Sequence, residues 1–397
     1  MADNILNFSQ YNTNDFEEKV RKDRNIRIRR NAIIFIAIVS IAIIVLITFI
    51  LRERSKVYES LSLQQSVILE NDTGLYYDNF AGTVMAYSKD GFGARDEKGD
   101  YLWNQPFDMQ NPMYSICGDT VAFADYGGSE INVQKKNGEL FSINTAMPIR
   151  KIAVSNKDVV AAILEDVGVT WIYLYDSKGE VISYFRTTME KSGYPIDIDI
   201  SPSSELVMIS YYYVDIGETK SSVAFYNFGD VGQNNIDNYV SGYNYKDSLV
   251  PMVRFMSDST SFAISNSRIS FYEGSQKPTS LVDNFIVTDV LSVYYDEDYV
   301  GVVTRNSSGD NAYHLTIYSN KGKVVSEKNF DFDYSKVVFG NGQYVIYGNT
   351  NIYVATIDGR TRLDYEYDRP VREVIPTNSP TKYILVTESS IDTVIMK

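Results

Sequence analysis

The chain has one cysteine, one histidine and two tryptophans in 397 residues. A single thiol, Cys117, can form no intrachain disulfide, so stability must rest on packing. In the context SICGDTVAF it reads as a small buried hydrophobe rather than a nucleophile. With His314 the only imidazole, a Ser-His-Asp triad has one place to form, and no G-x-S-x-G elbow accompanies it. His314 itself, in NAYHLTIY (311–318), reads as an ordinary strand position. A multi-histidine metal site is excluded, and neither EF-hand spacing nor a phosphate-binding glycine loop is present. No cofactor or metal is therefore expected.

Charge is absent from one stretch. Residues 32–51, AIIFIAIVSIAIIVLITFIL, contain no charge, proline or glycine, and as a helix they rise about 30 Å, one hydrocarbon core. The run exceeds the apolar core of a secretory signal, and Arg52-Glu53-Arg54 stands where a small-residue cleavage site is needed. It reads as an uncleaved transmembrane anchor. Arg21, Lys22, Arg24, Arg27, Arg29 and Arg30 precede it, against Arg52, Arg54 and Lys56 after it. Basic flanks stay inside, which places the N-terminus in the cytoplasm and the bulk of the chain outside the plasma membrane. Of 37 basic and 51 acidic residues, 10 and 6 lie in residues 1–56, leaving 27 and 45 beyond, a net charge of −18. Such a domain repels phosphate backbones, so nucleic acid is a poor partner.

What the chain has in quantity is a repeat. IYLYDSKG (172–179) matches INVQKKNG (131–138), LTIYSNKG (315–322) and IYVATIDG (352–359) in length and pattern. FGARDEKG (92–99), VAFYNFG (223–229) and ISFYEG (269–274) fit more loosely. Each unit is a period-two strand ending in a polar turn whose glycine can take the positive φ of a tight hairpin. The seven glycines, from Gly99 to Gly359, recur every 43 residues or so, the length of one four-stranded propeller blade. Between the hairpins lie runs apolar on both faces, such as VAFA (121–124), VVAAIL (159–164) and LVMI (206–209), as inner strands between stacked blades must be. Residues 371–397 hold three more strand-like runs and SVIL (66–69) stands alone after the anchor. Pairing these ends closes a ring without an open edge. The expectation is an all-β, eight-bladed β-propeller closed by its N- and C-terminal strands, with seven blades the alternative. Its organisation reads as a cytoplasmic basic segment (1–31), a transmembrane helix (32–51), a linker (52–62) and the propeller (63–397).

The hairpins resemble those of quinoprotein-like and WD40-like β-propellers. The segment from Ala94 through Asp96 and Gly99 to Trp103 is similar to the quinoprotein blade motif, one residue shorter before the glycine; in other copies the Trp position is Ser142, Ser183, Ser326 or Leu363. An anchor helix before such a propeller resembles the membrane-anchored propeller families of Gram-positive bacteria, of the DUF5711-like kind. Quinoproteins as a family imply a Trp-floored pocket, often with an adjacent Cys pair, Ca²⁺ and an Asp base. One cysteine with Trp103 and Trp171 does not assemble it in that form. The resemblance extends better to non-enzymatic propellers.

The candidates left are carboxylates and tyrosines. Asp197 and Asp199 share a strand face, and Asp296-Glu297-Asp298 and Asp331/Asp333 look like turns or strand ends, all in an acid-rich domain that produces such groupings by composition. Tyrosine is abundant, at 32 residues. It concentrates in the longest repeat as Tyr211, Tyr212 and Tyr213 and as Tyr239, Tyr243 and Tyr245, beside the insertions 214–220 and 229–246. Tyrosines at loop ends suit binding, because the ring packs while the hydroxyl stays wet. The sequence therefore reads as a membrane-anchored scaffold for an envelope protein or wall component. A carboxylate-based hydrolase or lyase acting on wall polysaccharide is the alternative.

Overall fold

The computed structural model describes residues 13–54, 56–69, 74–188, 192–215, 217–246, 248–306 and 311–397. The chain divides into two compact units between residues 56 and 57. The described part of the first contains one helix, Thr13–Arg54, of 42 residues, about 63 Å long at 1.5 Å per residue. Within it Glu18–Thr48 is long and apolar enough to cross a membrane. The basic stretch 21–30 belongs to the same continuous helix.

Among the described residues of the second unit, 32 strands form eight four-stranded antiparallel sheets. Blades 1 to 7 span residues 76–106, 112–144, 149–187, 194–246, 252–285, 290–330 and 334–366. Blade 8 takes three strands from Val371–Pro376, Lys382–Thr387 and Ser390–Met396, and its outermost strand from Leu61–Ile68. The ring is thus closed by the two ends of the unit. The closing strand begins five residues before the apolar run SVIL: its first half alternates and carries a bulge between Leu63 and Gln65, which hides the strand pattern.

Closure is pinned by polar groups as well as by the ladder. Asp392, fully buried, accepts hydrogen bonds from Ser66 Oγ (2.5 Å) and Tyr367 OH (2.8 Å) and pairs with Arg369 (3.1 Å). Tyr58, already buried in the core between blades 7 and 8, donates its N–H to the Arg362 carbonyl at 2.7 Å.

Apolar burial between blades holds the ring. Eight apolar clusters occupy the eight blade interfaces. The second strands, such as Thr120–Asp125 and Gln343–Gly348, contribute side chains to both neighbours and are buried on both faces. Between blades 1 and 2, Trp103 packs edge-on against Phe80 (6.0 Å between centroids) and Phe92 (5.4 Å). The residue that resembles a quinoprotein tryptophan is therefore core.

All seven turn glycines lie between third and fourth strands, and six take positive φ. Gly229 does not, because blade 4 replaces the tight turn by an eleven-residue connection (228–238). Two of the glycines separate conformational from packing demands. At Gly138 (φ +95°) an added Cβ meets nothing within 4 Å, whereas at Gly322 (φ +70°) it collides with Val282 and Phe271 of blade 5. Gly138→Ala should cost about 1–2 kcal/mol from backbone strain. Gly322→Ala should cost roughly 1–3 kcal/mol more from overpacking. Thermal unfolding of the two variants checks this; equal losses contradict it.

Candidate functional site

Two regions depart from simple propeller packing: the rim of blade 4 and the central channel. In blade 4 the second and third strands, Leu206–Asp215 and Glu218–Asn227, run to ten residues. The connection 228–238 is built from two short 3₁₀ turns, Gly232–Asn234 and Ile236–Asn238. Asn227 organises it: its Oδ1 accepts the Gly229 N–H at 2.8 Å, and its carbonyl accepts the Asn238 side-chain amide at 3.0 Å. Asp237 and Asn238 both take positive φ (55° and 61°), a conformation that costs free energy in non-glycine residues. The turn they make leaves Ile236 87% exposed. Beside it lies a cleft of about 340 Å³ between the outer parts of blades 3 and 4, lined among others by Phe185, Arg186, Tyr226, Tyr239 and Tyr243.

The six sequence-predicted tyrosines divide by environment. Tyr211 and Tyr245 are buried, and their hydroxyls pair with Tyr226 (2.8 Å) and Tyr272 (2.6 Å). Both faces of Leu206–Asp215 carry apolar residues, so alternation does not single out Tyr211; Tyr245 lies on an alternating strand (239–246) in which three tyrosines of one parity differ in burial. Tyr211 still forms part of the cleft wall. Tyr212 and Tyr213 are half-buried along the long strand. Tyr243 is half-buried and donates its hydroxyl to the Pro278 carbonyl of blade 5 (2.9 Å). Tyr239, 47% exposed, stands edge-on to Tyr226 at the cleft mouth. The loop 214–220 continues the same strands, with position 216 outside the described residues. Tyr245→Phe should lower stability by about 1–2 kcal/mol, because it strips the buried Tyr272 hydroxyl of its partner. Tyr239→Ala should leave stability within about 0.5 kcal/mol. Denaturant titration distinguishes the two, and equal effects contradict this division.

The channel is a second feature, only partly legible in the sequence. The first strands of the blades surround a cavity of about 530 Å³. Two ionic networks flank it, and each joins four successive blades. In one, Lys336 of blade 7 reaches Asp78 of blade 1 (2.5 Å) and Glu373 of blade 8 (3.1 Å), while Tyr114 of blade 2 donates to Asp78 (2.5 Å). In the other, Asp197 of blade 4 holds Arg254 of blade 5 (2.5 Å) and Lys151 of blade 3 (3.1 Å), and Tyr295 of blade 6 bonds to Arg254. Asp197 also accepts the Val253 N–H (3.0 Å), and Asp199 accepts that of Phe255 (2.6 Å). Asp197 and Asp199 thus lie on one strand as expected, with Asp197 fully buried and occupied by two cations. A signal for the rest exists in the sequence: a polar residue preceding the apolar core of a first strand, as in KIAV (151–154), KVV (336–338) and EVI (373–375).

Burial dominates the proton affinities here. It pushes Glu373 up to about 7 against the pull of Lys336, and Asp199 up to about 6 against that of Arg254. A carboxylate raised in the folded state takes up its proton before the unfolded chain does. Stability from Glu373 therefore grows as pH falls from about 7 toward the ordinary carboxylate range, and is lost as pH rises through 7. Lys336, Asp78 and Tyr347 face this group. Its share is about 3 kcal/mol between pH 8 and 4.5, a rise of roughly 3–6 °C in Tm. Glu373→Gln should remove that share, read as the difference between the Tm–pH curves of wild type and variant. A difference that does not change with pH contradicts it.

The other candidates have structural neighbours. Asp296 accepts the N–H groups of Asp298 (2.9 Å) and Tyr299 (2.7 Å) in a turn. Tyr313 donates to Asp333 (3.2 Å), and His314 bonds to Asn329 across the strand pair (2.5 Å). Burial drives the Cys117 thiol up to about 12, far from the range of a reactive thiolate. Among the described residues no group of three or more His, Cys, Asp or Glu is placed to hold a metal ion.

Solved structures share the architecture. The chain is similar to BamB from Moraxella catarrhalis (10% identity, TM-score 0.50, covering 85% of this chain and all of that one). It is similar also to the computationally designed Ika8 protein (14%, 0.54, 86% and 100%) and to a eukaryotic initiation factor (12%, 0.52, 82% of each). Identities this low show the fold alone. No curated protein matches the chain. Residues 54–396, the whole propeller, match the family described as "Family of unknown function (DUF5711)", and the chain belongs to that family.

Proposed function

We propose that this protein is a single-pass, N-in membrane protein whose extracytoplasmic propeller is a docking scaffold for an envelope protein or wall component, and that the rim of blade 4 is the docking edge. The orientation rests on the excess of basic residues before the apolar span. One observation carries the docking role. The blade 4 connection, held in a costly backbone conformation by Asn227, presents an isoleucine to solvent beside an aromatic cleft. An exposed large apolar residue on a rigid element is the kind of anchor that interfaces use. Tyr239 and Tyr243 supply amphipathic rings around it, and Arg186 and Asp237 supply charge of each sign.

Replacing residues 229–238 by the turn residues SKG (177–179) of blade 3 tests this reading. The variant keeps Phe228 against the blade 3–4 core and should melt within about 2 °C of wild type, since changes away from core features cost little, and should lose its crosslinked envelope partner. Unchanged partner recovery contradicts the proposal. So does hydrolysis of a wall glycan by the purified protein.

A further inference from the structure

The channel cavity has an imbalance that the two networks leave unresolved. Its three bases are engaged: Lys336 by Asp78 and Glu373, and Lys151 and Arg254 by Asp197. Asp199, two residues further along the same strand, makes no ion pair among the described residues; it accepts a backbone N–H from Phe255. Between these charged groups the lining is apolar and aromatic, with Ile200, Phe255, Val338, Phe339 and the Tyr295 ring contributing.

We propose that this cavity binds an alkylammonium group, a positively charged amine on an apolar stem, with Asp199 as its counter-ion. The volume, about 530 Å³, lies in the range of small-molecule sites. An anion entering here would meet Asp199 and Asp296 and find every base occupied. A neutral apolar ligand would strip water from Asp199 and offer no charge in return, which is costly. An ammonium offers both a counter-ion and a cation for aromatic faces, while its stem covers the apolar wall. The high proton affinity of Asp199 agrees: with Arg254 committed to Asp197, the protein alone under-compensates the Asp199 charge. The amine can be a free small molecule or the side chain of a lysine in a peptide. The inference does not depend on docking at blade 4.

Isothermal titration of the full-length protein in detergent tests it, with hexylammonium chloride, sodium hexanoate, 1-hexanol and Nα-acetyl-lysine methylamide as probes. Hexylammonium should bind, and hexanoate and hexanol should not. Binding of the acetyl-lysine amide as well assigns the site to a lysine side chain; its failure beside hexylammonium assigns it to a free amine. Asp199→Asn should weaken amine binding roughly tenfold or more, and the exposed control Asp364→Asn should not. Val338→Phe, which fills the cavity from blade 7 and leaves Asp199 intact, should weaken it too and guards against a folding defect in the first variant. No binding of either amine, equal binding of hexanol, or unchanged affinity in Asp199→Asn overturns the proposal.

Discussion

Replacing Lys336 by methionine is expected to lower the unfolding free energy by about 3–5 kcal/mol, the cost of leaving buried carboxylates without their cation. Lys336 bridges Asp78 and Glu373, which belong to blades 1 and 8. Glu373 is almost wholly buried. Methionine keeps the stem but removes the charge, so both acids face the channel without a cation: Asp78 keeps Tyr114 and the Asn79 N–H, and Glu373 keeps Tyr347. The loss should shrink on acidification, because Glu373 can then take a proton, and Glu373→Gln in the same chain should recover part of it. Denaturant unfolding at pH 5 and pH 8 reads both effects. A loss below about 1 kcal/mol, the range of a surface ion pair, contradicts the role given to this network.

Removing the closing strand should have a larger effect. A chain starting at residue 57 retains every element of the ring, and one starting at residue 74 lacks Leu61–Ile68. The shorter chain exposes Ser390–Met396 as a sheet edge, removes Tyr58 and Leu61 from the blade 7–8 core and Leu69 from the blade 8–1 core, and deprives Asp392 of Ser66. At about 1.5–3 kcal/mol per buried large side chain, these losses alone approach the stability of a typical domain. The chain from residue 57 should be monomeric and unfold cooperatively. The chain from residue 74 should aggregate or exchange strands, and a peptide spanning 57–69, added in trans, should restore the monomer. Light scattering and circular dichroism decide it; an unchanged melting midpoint for the shorter chain contradicts closure by this strand.

The parts of this fold that were legible in sequence are those set by local rules. Turn glycines announce themselves because a tight hairpin needs positive φ, and Gly179 and Gly359 obey. Second strands announce themselves because both faces are buried, as in VAFA (121–124) and LVMI (206–209). Gly229 misleads for the complementary reason: an eleven-residue connection makes no tight turn and does not need its freedom. Tyr211 shows the limit of alternation where both faces of a strand are apolar, and Tyr245 shows another: Tyr239, Tyr243 and Tyr245 share one parity yet run from exposed to buried along their strand. The channel networks were out of reach because their members are distant in the chain. Asp78 and Lys336 lie 258 residues apart, and only the closed ring brings them together. Asp197 and Asp199 are legible as a pair on one strand, yet their different partners depend on Arg254 and Phe255 of the next blade.

The docking role of blade 4 is the claim on which the functional account stands, and site-specific photocrosslinking in intact cells tests it most directly. A benzophenone side chain in place of Ile236 samples the rim, and one in place of Val287, 96% exposed between blades 5 and 6, samples an unrelated surface of equal accessibility. A discrete adduct is expected from position 236 that is absent from position 287 and is lost when residues 239 and 243 are changed to alanine. The same adducts from both positions, or adducts from 287 alone, would contradict it.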